Sequence, residues 1–262
     1  MRIQRLAILI TLAAGLAGCQ DEARMADLQG GYASLQQQDY ARALAAADRV
    51  LAASATAPGA AEARYLRGRA IEQRIKPNDA QALIDLKAAR AAYEEALTLV
   101  PGPDLEANAH ASLGNVCYWL EDYAAASVHC KTAAELLDRS DLHAWVLYRA
   151  GLCEQRLGKW AAADATFSTV ERQYPGTDAA RRSVEHRGAR EYYVQVSAFS
   201  ATDAAEKFLR TLRGQGFPAV RLYKPDRKLH IAMAGPLRDY AQATAMKGRL
   251  HQQGYKDAFV VP

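Results

Sequence analysis

The chain has 262 residues, half of them apolar and 24% charged, with a formal net charge of +4. These values are those of globular protein; they exclude a long disordered chain and a membrane bundle, and the length allows one large or two modest domains. Charge is nevertheless uneven: residues 20–189 hold 19 Lys or Arg against 23 acids, whereas residues 190–262 hold 12 against 6. An acidic middle is followed by a basic tail, which implies two modules of different chemistry.

The first residues, "MRIQRLAILITLAAGLAGCQ", set Arg2 and Arg5 before an apolar run from Leu6 to Ala17. That run is short for a bilayer span and reads as a secretory signal over residues 1–18. It ends in "LAGC", which resembles the lipobox of bacterial lipoproteins. The resemblance implies that Cys19 becomes the N-terminus and carries two or three acyl chains, enough for stable anchoring, with residues 19–23 as a linker. Gln20, not aspartate, follows it. In the proteobacterial sorting rule this places the anchor in the outer membrane, on its periplasmic face.

The segment from about residue 24 to 175 is repetitive. Gly31 and Ala43, Gly114 and Ala126, and Gly151 and Ala163 are each twelve residues apart, with Tyr40, Tyr123 and Trp160 three residues before the alanines. Ala89, Tyr93, Ala96 and Pro101 match Ala163, Phe167, Val170 and Pro175 at the same offsets. Such a register describes antiparallel helix pairs whose small residues let the backbones approach while an aromatic fills the next layer. The pattern is similar to the tetratricopeptide (TPR) family, most clearly in "ASLGNVCYWLEDYAAASVHCKTAAELL", and implies four helical-hairpin repeats. It departs from that family in a longer junction between the last two copies and in an expansion around "KPND" between Gly68 and Ala89.

Repeats of this family present a groove lined by their first helices. Counting on the helical period from Gly114 and Gly151 places Asn115, Tyr118, Trp119, Trp145 and Tyr148 on the groove side, where the resemblance implies a protein partner. Aromatics at this spacing equally serve as core between repeats. Cys117, Cys130 and Cys153 lack CxxC spacing, which argues against zinc; they read as buried thiols, with a Cys117 to Cys130 bridge as the alternative. "GTDAARRSVEHRGAR" after Pro175 reads as a capping helix and linker over residues 176–190.

After Arg190 the hydrophobic period changes to two, back to a helical period, and to two again. "YYVQVSAF" is a strand, "DAAEKFLRTLRGQG" a helix, "AVRLYK" and "KLHIAMAGP" strands joined at "KPDRK", "DYAQATAMKGRLHQQG" a helix, and "DAFVV" the last strand. The order βαββαβ predicts a four-stranded antiparallel sheet with two helices on one face. The fold class is thus multidomain: an all-α array of helical hairpins followed by an α+β domain.

"YYVQVSAF", Gly235 with Pro236, and "GYKDAFVV" stand in the order and spacing of the SPOR domain of bacterial cell-wall proteins, which residues 191–262 resemble. The resemblance implies binding of peptidoglycan, in particular glycan strands stripped of stem peptides at division sites, on the uncovered sheet face. Carried over by strand register, that face holds Tyr193, Gln195 and Ser197 from the first strand, Leu229, Ile231 and Met233 from the third, and Phe259 from the last. Leu229 and Ile231 make the third strand more apolar than is usual for that family.

The implied function is a lipid-anchored envelope scaffold that holds peptidoglycan with its tail and a protein with its repeats, in cell division or wall organisation. The alternative is an outer-membrane TPR adaptor whose tail contacts protein, favoured by an exposed stripe at Leu229 and Ile231. RNA-recognition modules share the strand order, but an export signal and the lack of a "GFGFV" run argue against nucleic acid. HExxH, GxSxG and P-loop patterns are missing from the chain, so neither an enzyme nor a metal or other cofactor is expected.

Overall fold

The computed structural model describes residues 21–76 and 81–262. Cys19, Gln20 and most of the "KPND" expansion lie outside the described residues. The chain divides into two compact units, one ending at Ala150 and one running from Gly151 to Pro262.

The first unit is built of helices α1 (residues 21–36), α2 (Tyr40–Ala53), α3 (Ala60–Gln73), α4 (Ala82–Thr98), α5 (Pro103–Trp119) and α6 (Tyr123–Leu136), together with α7 (Asp141–Arg156) as far as Ala150. Acidic caps start α2 and α6: Asp39 accepts from the Arg42 amide and Asp122 from the Ala125 amide, each at 3.1 Å. The helix glycines serve close approach. A Cβ at Gly68 would lie 2.5 Å from the Tyr93 ring, and one at Gly114 would lie 2.4 Å from Cys130 Sγ. Ala43, Ala47, Val50, Ala63, Leu66 and Ala70 form one core cluster, and Ala89, Tyr93, Ala96, Ala109, Leu113 and Val116 another. Cys117, Cys130 and Cys153 are buried thiols and not a bridge. At the expansion, Arg74 donates to both oxygens of buried Asp85, at 2.8 and 2.7 Å, tying α3 to the start of α4.

The second unit contains the end of α7, then α8 (Trp160–Gln173), α9 (Asp178–His186), β1 (Tyr192–Phe199), α10 (Thr202–Gly214), β2 (Ala219–Lys224), β3 (Leu229–Leu237), α11 (Tyr240–Gln252) and β4 (Phe259–Val261). A Cβ at Gly151 would stand 2.5 Å from the Phe167 ring. That is the relation of Gly68 to Tyr93, kept although the expansion lengthens the stretch between glycine and ring. The sheet has the order β2-β3-β1-β4 with antiparallel neighbours throughout. Val194, Val196, Ala232, Ala234 and Val260 pack with Leu209 and Leu212 of α10 and with Ala243, Met246 and Leu250 of α11, so both helices cover one face.

The end of α7 and the start of α8 join this core. Trp160 packs against Tyr192 with ring centroids 4.9 Å apart, and the Tyr192 hydroxyl donates to the Gln155 carbonyl. Arg156 Nη2 donates to the Val260 carbonyl on edge strand β4 at 3.2 Å, and its guanidinium lies 5.1 Å from the Tyr240 ring. An edge strand leaves backbone groups unpaired, and Arg156 satisfies one of them. The repeat pattern ends at Pro175, but the compact unit begins at Gly151. Periodicity identifies a hairpin without revealing what it packs on.

Candidate functional site

The sheet face opposite α10 and α11 is the first candidate. Strand pairing sets Gln195 across from Met233 on β3 and from Phe259 on β4, and Tyr193 across from Val261. The amide of Gln195 is thus bordered by a thioether on one side and an aromatic ring on the other. Tyr193 donates its hydroxyl to Glu191 Oε2 at 2.9 Å; burial and that carboxylate raise its pKa, so the phenol stays protonated. Gly235 has φ of +146°, and a Cβ there would come within 2.7 Å of the Tyr193 ring and 3.0 Å of the Tyr192 carbonyl. Glycine at this point therefore lets β3 pass under the ring.

Two expectations for this face need correction. The pairing shifts between Gln195 and Ser197, so Ser197 stands opposite Ala232 of the helix-covered core and Ala198 stands opposite Ile231. A bulge adds one residue to a strand and ends the plain alternation. Ile231 and Met233 do occupy the open side of β3, but they are only 4% and 7% exposed. They lie on an inner strand, with cross-strand neighbours from β2 and β1 on both sides. The accessible apolar surface comes instead from Leu222, 43% exposed, and Phe259, 50% exposed; Leu229 is half-buried. Strand β2 adds Val220, Leu222 and Lys224, opposite Met233, Ile231 and Leu229. The alternation in "AVRLYK", with Ala219 in the core, is the signal that would have found them.

The groove of the first unit is the second candidate. A cavity of about 280 Å³ is lined by Arg69 and Glu72 of α3, Asn108, Ser112 and Asn115 of α5, and Trp145 and Arg149 of α7. It shares Arg69, Glu72 and Asn115 with an apolar pocket of about 510 Å³ against Leu86 and Trp119. A chain of hydrogen bonds crosses it: Tyr93 Oη donates to Glu72 Oε2 at 2.6 Å, Asn115 Nδ2 to Glu72 Oε1 at 2.6 Å, and Arg149 Nη2 to Asn115 Oδ1 at 3.0 Å. Burial beside the Glu72 carboxylate pushes the Tyr93 phenol well up, which keeps it a donor.

Of the five residues expected here, Asn115, Trp119 and Trp145 line the cavities. Tyr118 packs edge-on to Trp119 and Tyr123, with the Arg149 guanidinium 4.3 Å from its ring. Tyr148 is buried, its ring 5.6 Å from that of Trp145, and it belongs to the core. The two lie on helix flanks that the period alone did not separate from the groove. Arg69, Glu72 and Arg149 were missed, although Arg69 follows Gly68 as Asn115 follows Gly114 and as groove-lining Tyr32 follows Gly31.

Among the described residues no group of three or more His, Cys, Asp or Glu is placed to hold a metal ion. None of their helices is long and apolar enough to cross a membrane.

Residues 188–262 match the family model of the SPOR domain. No curated protein matches the chain. Among solved structures the chain is similar to the apo form of RapI, at 11% identity and a TM-score of 0.50, over 75% of this chain and 74% of that one. It is also similar to YrrB, described as a TPR protein with an unusual peptide-binding site, at 24% identity and a TM-score of 0.48 over 61% and 75% of the two chains. MamA gives 18% identity and 0.49 over 75% and 93%. The fold is therefore an array of TPR-like helical hairpins followed by an α+β domain with a four-stranded antiparallel sheet, as the sequence predicts, and residues 188–262 carry the SPOR pattern.

Proposed function

We propose that the chain is a lipid-anchored cell-envelope protein that binds denuded peptidoglycan glycan strands through the open sheet face and a protein partner through the helical groove, in cell division or wall organisation. One observation carries the reading: within the segment that matches the SPOR domain, Gln195 lies between Met233 and Phe259 on the side of the sheet away from the helices. Apolar side chains stack on pyranose faces, and an amide supplies a donor and an acceptor to hydroxyl and N-acetyl groups. Removal of stem peptides frees a lactyl carboxylate on each muramic residue, and residues 190–262 carry twice as many bases as acids. The lipobox-like "LAGC" supports anchoring at Cys19, and Gln20 supports the periplasmic face of the outer membrane.

The adaptor reading leaned on an exposed stripe at Leu229 and Ile231, and buried Ile231 removes its centre. The test is sedimentation of the full chain with amidase-treated sacculi. Wild type is expected in the pellet and Gln195→Glu in the supernatant, because the substitution sets a carboxylate against the glycan. Equal pelleting of the two would sink the assigned face. Anchoring is tested separately by whether Cys19→Ser moves the protein out of the membrane fraction.

A further inference from the structure

Strand β2 is one edge of the sheet, and its pairing with β3 fixes where its backbone points. The Gly235 amide donates to the Pro218 carbonyl at 2.8 Å, so these two residues are a directly bonded pair of that ladder. The register from Ala219 and Ala234 to Lys224 and Leu229 runs on without a shift. Bonded and non-bonded pairs alternate in an antiparallel ladder. Val220, Leu222 and Lys224 therefore bond to β3, whereas Ala219, Arg221 and Tyr223 turn their N–H and C=O groups outward.

Two features limit the open part of this edge. Arg213 Nε donates to the Ala219 carbonyl at 3.0 Å, and Pro225, next after the strand, has no N–H. What remains is Arg221 and Tyr223, whose backbone groups have no hydrogen-bond partner among the described residues. Native edges are commonly guarded by a proline, a bulge or an outward charge. Strand β2 has neither proline nor bulge, and the Arg221 side chain is drawn to Glu206 of α10, 3.2 Å away. Leu222 and Tyr223 stand exposed beside it. At the opposite edge β4 is three residues long, and Arg156 holds its Val260 carbonyl.

A second copy of β2 fits this edge in one antiparallel register. Centred on Leu222, it sets Arg221 against Tyr223 of the second copy and Tyr223 against Arg221 of the second copy, so that the outward groups of both strands are satisfied together. Leu222 then meets its own counterpart on the open side, and the Arg221 guanidinium meets a tyrosine ring on the other. Centring on Arg221 would oppose two like charges and aim Tyr223 at the occupied Ala219 carbonyl. Centring on Tyr223 would aim Arg221 at Pro225.

We propose that the C-terminal domain forms a two-fold dimer by antiparallel pairing of β2 strands about Leu222, joining two sheets into one with both open faces on the same side. This goes beyond the proposed function and does not depend on it, since each copy keeps its own Gln195 and Phe259.

One strand a side makes a small interface, so the test traps it. Arg221→Cys, Leu222→Cys and Tyr223→Cys are made singly in the full chain carrying Cys19→Ser, and each is oxidised with copper phenanthroline. Cys117, Cys130 and Cys153 are buried, and the parent chain sets the background. Residues opposed in a non-bonded pair have Cα atoms about 4.5 Å apart, within disulfide reach. Leu222→Cys is expected to give a disulfide-linked dimer about tenfold or more faster than the other two, because residues 221 and 223 face each other and not their own counterparts. Tyr223→Pro removes only an outward N–H, so added to Leu222→Cys it should abolish that excess. Retained hydrogen-exchange protection of the Ile231 amide, which bonds to Leu222, shows β2 still in place. Equal rates at the three positions, or the fastest at 221 or 223, overturn the proposal. Fast linkage at 222 that survives Tyr223→Pro overturns pairing through the edge; the cysteine series decides alone if Tyr223→Pro disturbs the sheet.

Discussion

Gln195 on β1 and Phe259 on β4 are directly paired across the sheet, so a polar amide and an exposed aromatic ring share one patch. An aromatic that stacks on a ligand is a typical hot spot, and its truncation costs about 1–2 kcal/mol or more, which is about tenfold in affinity. Phe259→Ala should therefore reduce glycan binding about tenfold in a titration with amidase-treated sacculi. Tyr223, equally exposed on β2 but paired with His230 instead of facing Ile231, is the control: Tyr223→Ala should bind as wild type. A larger loss at Tyr223 than at Phe259 would place the ligand elsewhere.

His186, at the end of α9, makes the second unit sensitive to acid. Burial, with the nearby Arg156 charge adding to it, lowers its pKa from 6.5 to about 4. The folded chain thus keeps a neutral imidazole where the unfolded chain takes a proton. Stability is full above pH 6.5, falls as the pH drops toward 4, and loses at most about 3 kcal/mol from this group. Hydrogen exchange of the β1 amides in the full chain should show protection decreasing between pH 6.5 and 4.5. His186→Gln should flatten that decrease; an unchanged slope would remove His186 as its origin.

Gly114 tests the packing of the first unit. A Cβ there meets Cys130 Sγ at 2.4 Å, and the next contact is the Cys130 backbone nitrogen at 3.3 Å. Overpacking of this kind costs about 1–3 kcal/mol, against a gain of up to about 1 kcal/mol from replacing a helical glycine. Gly114→Ala should therefore lower the thermal midpoint, and adding Cys130→Ala, which removes the obstructing sulfur, should restore part of it. A double variant less stable than Gly114→Ala alone would show that the sulfur is not the obstacle.

The helical array was legible because its second helices leave a fixed trace: Ala89 and Tyr93 are spaced as Ala163 and Phe167 are, although the expansion sets Gly68 25 residues before Tyr93 and Gly151 only 16 before Phe167. The sheet was legible in strand order, and Tyr193, Gln195 and Phe259 fall on the open side as alternation requires. Alternation failed at Ser197 because it presumes an unbroken pleat, and a bulge has no signature in "VQVSAF". It also named the side of Ile231 without naming its exposure, which depends on how tightly neighbouring strands enclose it. The hydrogen bonds that Glu72 accepts from Tyr93 and Asn115 were beyond reach, since they depend on which side chains meet across three helices. The attachment of Gln155, Arg156 and Trp160 to the C-terminal core was equally hidden, being a matter of tertiary contact.

The position of β1 between β3 and β4 has a mechanical consequence. The chain enters this sheet through an inner strand, not an edge. In a protein tethered upstream and attached to a polymer through its sheet, tension pulls β1 along its own axis and loads the hydrogen bonds to both neighbours together. Bonds loaded in shear share the force, whereas an edge strand peeled from its end would yield them one by one. A pull transmitted along the chain into β1 is thus shared by its hydrogen bonds to both β3 and β4.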